Sequence, residues 1–125
     1  MNGVLVDTVL WIDHFRSRNE MLANLLKQDL ALTHPMIIGE LACGTPPAPR
    51  SKTLGDLGRL RMVQHCSVRE TMAFIERHSL FGAGCGLIDL ILLASVLITP
   101  NTTLWTRDKH LDKLATRFGV AQKAA

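Results

Sequence analysis

The stretch "LIDLILLASVLI", residues 87–98, carries one charged side chain, Asp89, in a run otherwise apolar except for Ser95. A helix apolar on all sides cannot face water and must sit inside a folded core. The uncharged part, Leu90 to Leu97, is far shorter than the roughly 20 residues that span a bilayer. The stretch therefore reads as a buried helix of a globular domain. It also raises a question of cost, because an ionised carboxylate buried without a partner is unfavourable by several kcal/mol.

The rest of the chain supplies a fold around that helix. "GVLV" (3–6), "LALT" (30–33), "VQHCSV" (63–68) and "TLWT" (103–106) read as short strands. Helical patterns separate them. "VLWIDHFRS" follows Asp7 and Thr8, with Trp11 and Phe15 four apart, and "NEMLANLLKQ" follows with Asn19 as its N-cap. "MIIGELACG" starts after Pro35, suited to a first helical turn, and stops at Gly44. "RSKTLGDLGRLRM", "RETMAFIERHSLF", with Met72, Ile75 and Phe81 on its apolar side, and "KHLDKLATRFG", closed by Gly119, complete the set. Strands alternating with helices predict an α/β fold with a mostly parallel sheet and helices on both faces. Residues 1–125 contain no internal repeat or low-complexity tract and read as one domain.

Composition closes off several classes. Hydrophobic residues at 47% and charged residues at 20% mark a folding chain rather than a disordered one. The opening "MNGVLVDTVLWID" has no basic region and meets an acid at Asp7, which is not a signal peptide and points to the cytoplasm. Cys43, Cys66 and Cys85 lack CxxC spacing, so they read as small buried thiols rather than a disulfide framework or zinc site. His14, His34, His65 and His78 likewise lack metal-ligand spacing. The net charge of +3 mildly favours a polyanionic partner. "GAGCGLID" has no lysine for a P-loop and comes too late in the chain for a dinucleotide fingerprint. A phosphotransfer domain also puts an acid at a strand end, but a phosphatase of that type would want a second Asp at position 9, which is Val9.

Four acids stand out. Asp7 follows the first strand and Asp108 the last, and open parallel sheets form sites at the carboxyl ends of their strands. Glu40 and Asp89 are the lone charges of apolar helices, with no Lys or Arg three or four residues away. Compensation must come from elsewhere in the fold or from a metal, and oxygen-only ligands suit Mg²⁺ or Mn²⁺. Each acid also has an ordinary explanation: Asp7 and Asp108 as helix caps, Asp89 as a first-turn acid, Glu40 on a helix edge. Four coincidences together are harder to accept than one.

"VLVDTVLWIDHF", "HPMIIGELACG", "GAGCGLIDLILLAS" and "LWTRDKHL", in this order, resemble the PIN-domain ribonucleases, and more narrowly the VapC toxins of bacterial toxin–antitoxin pairs. The resemblance covers nearly the whole chain. It implies a three-layer α/β/α fold with a central, mostly parallel sheet of four to five strands. It also implies a metal-dependent endoribonuclease acting on tRNA or rRNA, with Asp7, Glu40, Asp89 and Asp108 as catalytic and Mg²⁺- or Mn²⁺-binding residues. Thr106 matches a hydroxyl that often joins such a site, and Thr8 is a second candidate. Val9 departs from the family pattern, which often has a hydroxyl residue there. A VapB-type antitoxin and a homodimer are the implied protein partners. Arg16, Arg107 and Lys109, with Arg18 and His110, flank the acids and are candidates to hold RNA phosphates. Trp11 and Trp105 could stack on bases, although their apolar surroundings favour the core. The competing class is a non-catalytic PIN-like binding module whose acidic pocket holds an arginine of a partner.

Overall fold

In a computed structural model the described residues are 2–123. They form seven helices and three strands: β1 (Gly3–Val6), α1 (Thr8–Arg16), α2 (Glu20–Lys27), β2 (Ala31–Leu32), α3 (Pro35–Cys43), α4 (Arg50–Gly58), α5 (Val68–His78), α6 (Leu87–Leu97), β3 (Thr102–Trp105) and α7 (Lys109–Arg117). The sheet is parallel, in the order β2-β1-β3, with Val4 opposite Ala31 on one side and Thr103 on the other. All four residues of β1 are buried. Successive strand residues point to opposite faces, so both faces of the central strand are covered. α6 and α7 pack on β3, and α2 packs on β2. α1, α3 and α4 form a contiguous row, and α5 lies on α6. At Gly3 the side chain of Leu32 lies where a Cβ would be, 2.5 Å from that position.

The expected sheet of four to five strands is not reached among the described residues. Beyond each edge the pairing shrinks to a single bridge, Thr33 with Met62 and Leu104 with Ala121. The segment "VQHCSV" does not become a strand, and the cause is local. The Gln64 N–H donates to Thr99 Oγ1 and the Cys66 N–H to Ser95 Oγ, so side chains at the end of α6 take backbone donors a ladder would need. Ser67 then opens α5 through a reciprocal capping box with Glu70.

The greasy helix is buried from Leu90 through Val96, whereas Leu87 and Ile88 are exposed at its start. Two other expectations need correction. Met72 and Phe81 are exposed, and α5 turns Thr71, Phe74 and Ile75 inward. Met72 lies about 100° round the helix from Thr71, and Phe81 comes after the left-handed cap at Ser79. Only Cys66 of the three thiols is buried; Cys43 is exposed and Cys85 is half-buried. Trp11 is buried and Trp105 half-buried against the core, in line with packing roles. Among the described residues no helix is long and apolar enough to cross a membrane.

Candidate active site

With β2 and β3 on opposite sides of β1, the chain leaves the central strand in two directions. Such a switch point opens a crevice at the carboxyl ends of the strands. Asp7 stands there directly after β1, and Thr106 directly after β3. Asp7 is 9% exposed and doubly held. Its Oδ1 accepts the Thr8 N–H at 2.8 Å, as the N-cap of α1, and its Oδ2 accepts the Thr106 hydroxyl at 2.7 Å. The buried Thr106 hydroxyl also accepts the Asp108 N–H at 3.1 Å, so one side chain fixes both strand-end acids. Asp108 caps α7 through the Leu111 N–H at 2.9 Å and is exposed.

The other two acids arrive on helices. α3 begins at His34, whose Nδ1 accepts the Met36 N–H, with Pro35 in the first turn. Its inner stripe is Ile37 and Leu41, and this turns Glu40 outward. Glu40 is therefore exposed, not enclosed among its apolar neighbours as its sequence context suggested. It is tied to the site by the Thr8 hydroxyl, which donates to Oε1 at 2.8 Å. Asp89 lies in the first turn of α6 and is half-buried. Burial pushes its carboxyl above the ordinary range, and the nearby charges of Asp7, Asp108 and Glu40 push the same way. All four acids thus act on one place. Capping and convergence are compatible: Asp108 caps with Oδ1 alone, and each Asp7 oxygen, having accepted one hydrogen bond, retains a further lone pair.

None of the four forms an ion pair with Lys, Arg or His among the described residues. The donor set is all oxygen and carries up to four uncompensated negative charges, which fits a hard divalent cation. The carboxylates are nevertheless held apart. No group of three His, Cys, Asp or Glu side chains among the described residues is close enough to hold an ion as placed.

The basic candidates are more scattered. Arg107 pairs with Asp13 of α1, and Arg18 pairs with Glu20 at 3.0 Å. Arg16 and Lys109 are exposed. Arg16 lines an open cavity of about 500 Å³ between α1 and the 44–47 turn that reaches Glu40. His110 is placed against the loop before α6: a Cβ on Gly84, which has φ +84°, would lie 2.8 Å from its ring. Cys85 in that loop has its thiol pushed up to about 11 by burial, with Asp89 and Asp108 adding to it. Sequence reading missed Asp13 and the Gly84–His110 contact. Asp13 and its partner Arg107 lie 94 positions apart and share no local pattern that would have signalled the pair.

No family model matches the chain. It is 38% identical over 118 residues, 94% of either chain, to a protein named Ribonuclease VapC32 from Mycobacterium tuberculosis, in both strain CDC 1551 / Oshkosh and strain ATCC 25618 / H37Rv. The chain belongs to the VapC toxins of the PIN-domain family. The relative is named a ribonuclease, and ribonucleases act on the phosphodiester bonds of RNA.

Proposed function

We propose that this VapC-family chain is a metal-dependent endoribonuclease, the toxic member of a toxin–antitoxin pair, and that it cleaves tRNA or rRNA in the cytoplasm. The observation that carries the reading is the set of four carboxylates near one switch point, without ion-pair partners among the described residues, with the Thr106 hydroxyl holding the Asp7 carboxylate and the Asp108 backbone N–H. Asp7, Asp89, Asp108 and Glu40 would hold Mg²⁺ or Mn²⁺. The chemistry such an ion would supply when held there is activation of a water molecule and offset of charge on the phosphate.

The protein's own groups do the rest. Thr106 holds Asp7 Oδ2 and the Asp108 backbone in one arrangement. Thr8 orients Glu40, which leaves its second oxygen to accept a proton from attacking water. The apolar packing of α6 behind Asp89 fixes that carboxylate at the mouth of the crevice. Hydrolysis in this manner leaves a 5′-phosphate and a 3′-hydroxyl. Val9 is exposed at the first turn of α1 and offers no hydroxyl, so Thr8 is the one that serves.

A VapB-type antitoxin is the expected partner, with an arginine suited to the acidic crevice when RNA is absent. A homodimer is the expected assembly. The deciding experiment is induced expression of the wild type and Asp7→Asn, with mapping of new RNA 5′ ends. New ends and growth arrest are expected for the wild type alone. An absence of both for the wild type, or full activity of the purified protein in excess EDTA, would overturn the reading.

A further inference from the structure

An acidic crevice repels the polyanion it must cut, so its approaches need cations positioned near the acids. Two arginines meet that requirement around one carboxylate. Arg107 lies between Thr106 and Asp108, both in the site, and its guanidinium reaches across to Asp13 on α1. Arg16 is three residues after Asp13 on α1, a spacing that puts the two side chains side by side on one helix face. Arg16 has no acidic partner among the described residues, and it lines the cavity that ends at Glu40. The Arg107–Asp13 pair is half-exposed, with side chains 51% and 35% accessible. Such pairs contribute little to stability and exchange partners readily.

We propose that Arg16 and Arg107 form a subsite for an RNA backbone phosphate next to the scissile bond, and that Asp13 occupies this subsite in the free protein. The inference rests on the ribonuclease reading. A phosphate offers a guanidinium the same forked acceptor as a carboxylate, with more charge. RNA entry therefore replaces Asp13 on Arg107, and Arg16 completes the cradle. Asp13 keeps an unliganded Arg107 from folding into the four-acid crevice, and it sets a threshold against weak anions. The contact is to the backbone, so it is independent of sequence and any single-stranded RNA reports on it.

The test is a double-mutant cycle on RNA binding, not cleavage. Asp89→Asn protein in EDTA is titrated into a short fluorescent single-stranded RNA at low salt, and the RNA is checked to be intact afterwards. Asp13→Asn is expected to tighten binding about two- to fivefold, the scale of one exposed charge pair. Arg107→Ala is expected to weaken it and to lower the salt slope by about one counterion. Asp13→Asn added to Arg107→Ala should recover much less than it does alone, and Arg16→Ala should weaken binding by itself. Equal or weaker binding by Asp13→Asn would overturn the proposal, because Asp13 would then be aiming Arg107 and not competing for it. Full additivity of the two substitutions would overturn it as well. If the Asp89→Asn protein binds no RNA at any salt, the ribonuclease reading fails and the subsite fails with it. Thermal unfolding of each variant separates lost contacts from lost folding.

Discussion

Asp89 shows how a residue placed for the proposed chemistry can be costly for folding. Its carboxyl is raised by burial and by three neighbouring acids. A carboxyl raised in the folded state binds its proton more tightly there than in the unfolded chain. Its penalty is absent at low pH and grows as pH rises from the ordinary carboxylate range through the raised value. In metal-free buffer, Asp89→Asn should therefore melt at an equal or higher temperature than the wild type, with the gap widening over that window. The difference between the two proteins is the quantity to measure, because His34 acts in the opposite sense. Burial, and secondarily His65, lower His34 to about 4, so its contribution is present above 6.5 and is lost as pH falls from there towards 4. Asp89→Asn cleavage should fall to background. A gap that narrows with rising pH would contradict the proposed source of the shift. Thr106 is the complementary case, a neutral residue that positions others. Thr106→Val keeps the shape and removes the donor to Asp7 and the acceptor for Asp108. Loss of such supporting bonds typically costs about ten- to a hundredfold, and the steady-state rate with saturating RNA should fall by that factor. An unchanged rate would mean that Asp7 and Asp108 need no common support.

Among the elements, the loop before α6 and the first turn of α7 set the spacing between Asp89 and Asp108. Gly84 is held at φ +84° with the His110 ring against its Cα. Gly84→Ala meets two obstacles there, a backbone conformation unfavourable by about 1 kcal/mol and a clash with the ring. Denaturant unfolding should show a loss of about 1–3 kcal/mol, and cleavage should fall as the two acids separate. His110→Ala in the same chain should remove the clash but not the backbone term, and so restore part of the loss. No restoration would show that the ring contact is irrelevant. Neither partner of this contact was legible in the sequence, because a left-handed glycine and a histidine 26 positions later share no local pattern. Elements whose pattern is local fared better. β1 follows from an apolar run, β3 from a short run of β-branched, apolar and aromatic residues and α6 from a nearly unbroken apolar stretch, and Asn19 and Pro35 begin helices because capping chemistry is local. "VQHCSV" misled because its apolar character was real but its backbone donors went to Ser95 and Thr99. Glu40 misled in the opposite direction: apolar neighbours in sequence are not neighbours in space, and α3 buries Ile37 and Leu41, with Ile38 partly packed on the core, while Glu40 faces out.

For the whole molecule, the central question is what draws four mutually repelling carboxylates together. As placed, no three of them can hold one ion. If the crevice takes an ion as proposed, binding would have to overcome this separation, and its free energy would be shared between bonding and closure of the crevice. Linkage makes this measurable without any RNA. A ligand that binds only the folded state at a hundred times its dissociation constant stabilises it by about 2.7 kcal/mol. In a domain of this size that corresponds to a rise in Tm on the order of 10 °C. The wild type stripped with EDTA should show such a rise as Mg²⁺ or Mn²⁺ is added, and Asp7→Asn and Asp89→Asn should each show much less. Non-specific screening would also relieve repulsion among the acids, so KCl at matched ionic strength is the necessary control. A rise that KCl reproduces, or that survives intact in Asp89→Asn, would mean that the crevice is relieved by ionic atmosphere alone and holds no ion of its own.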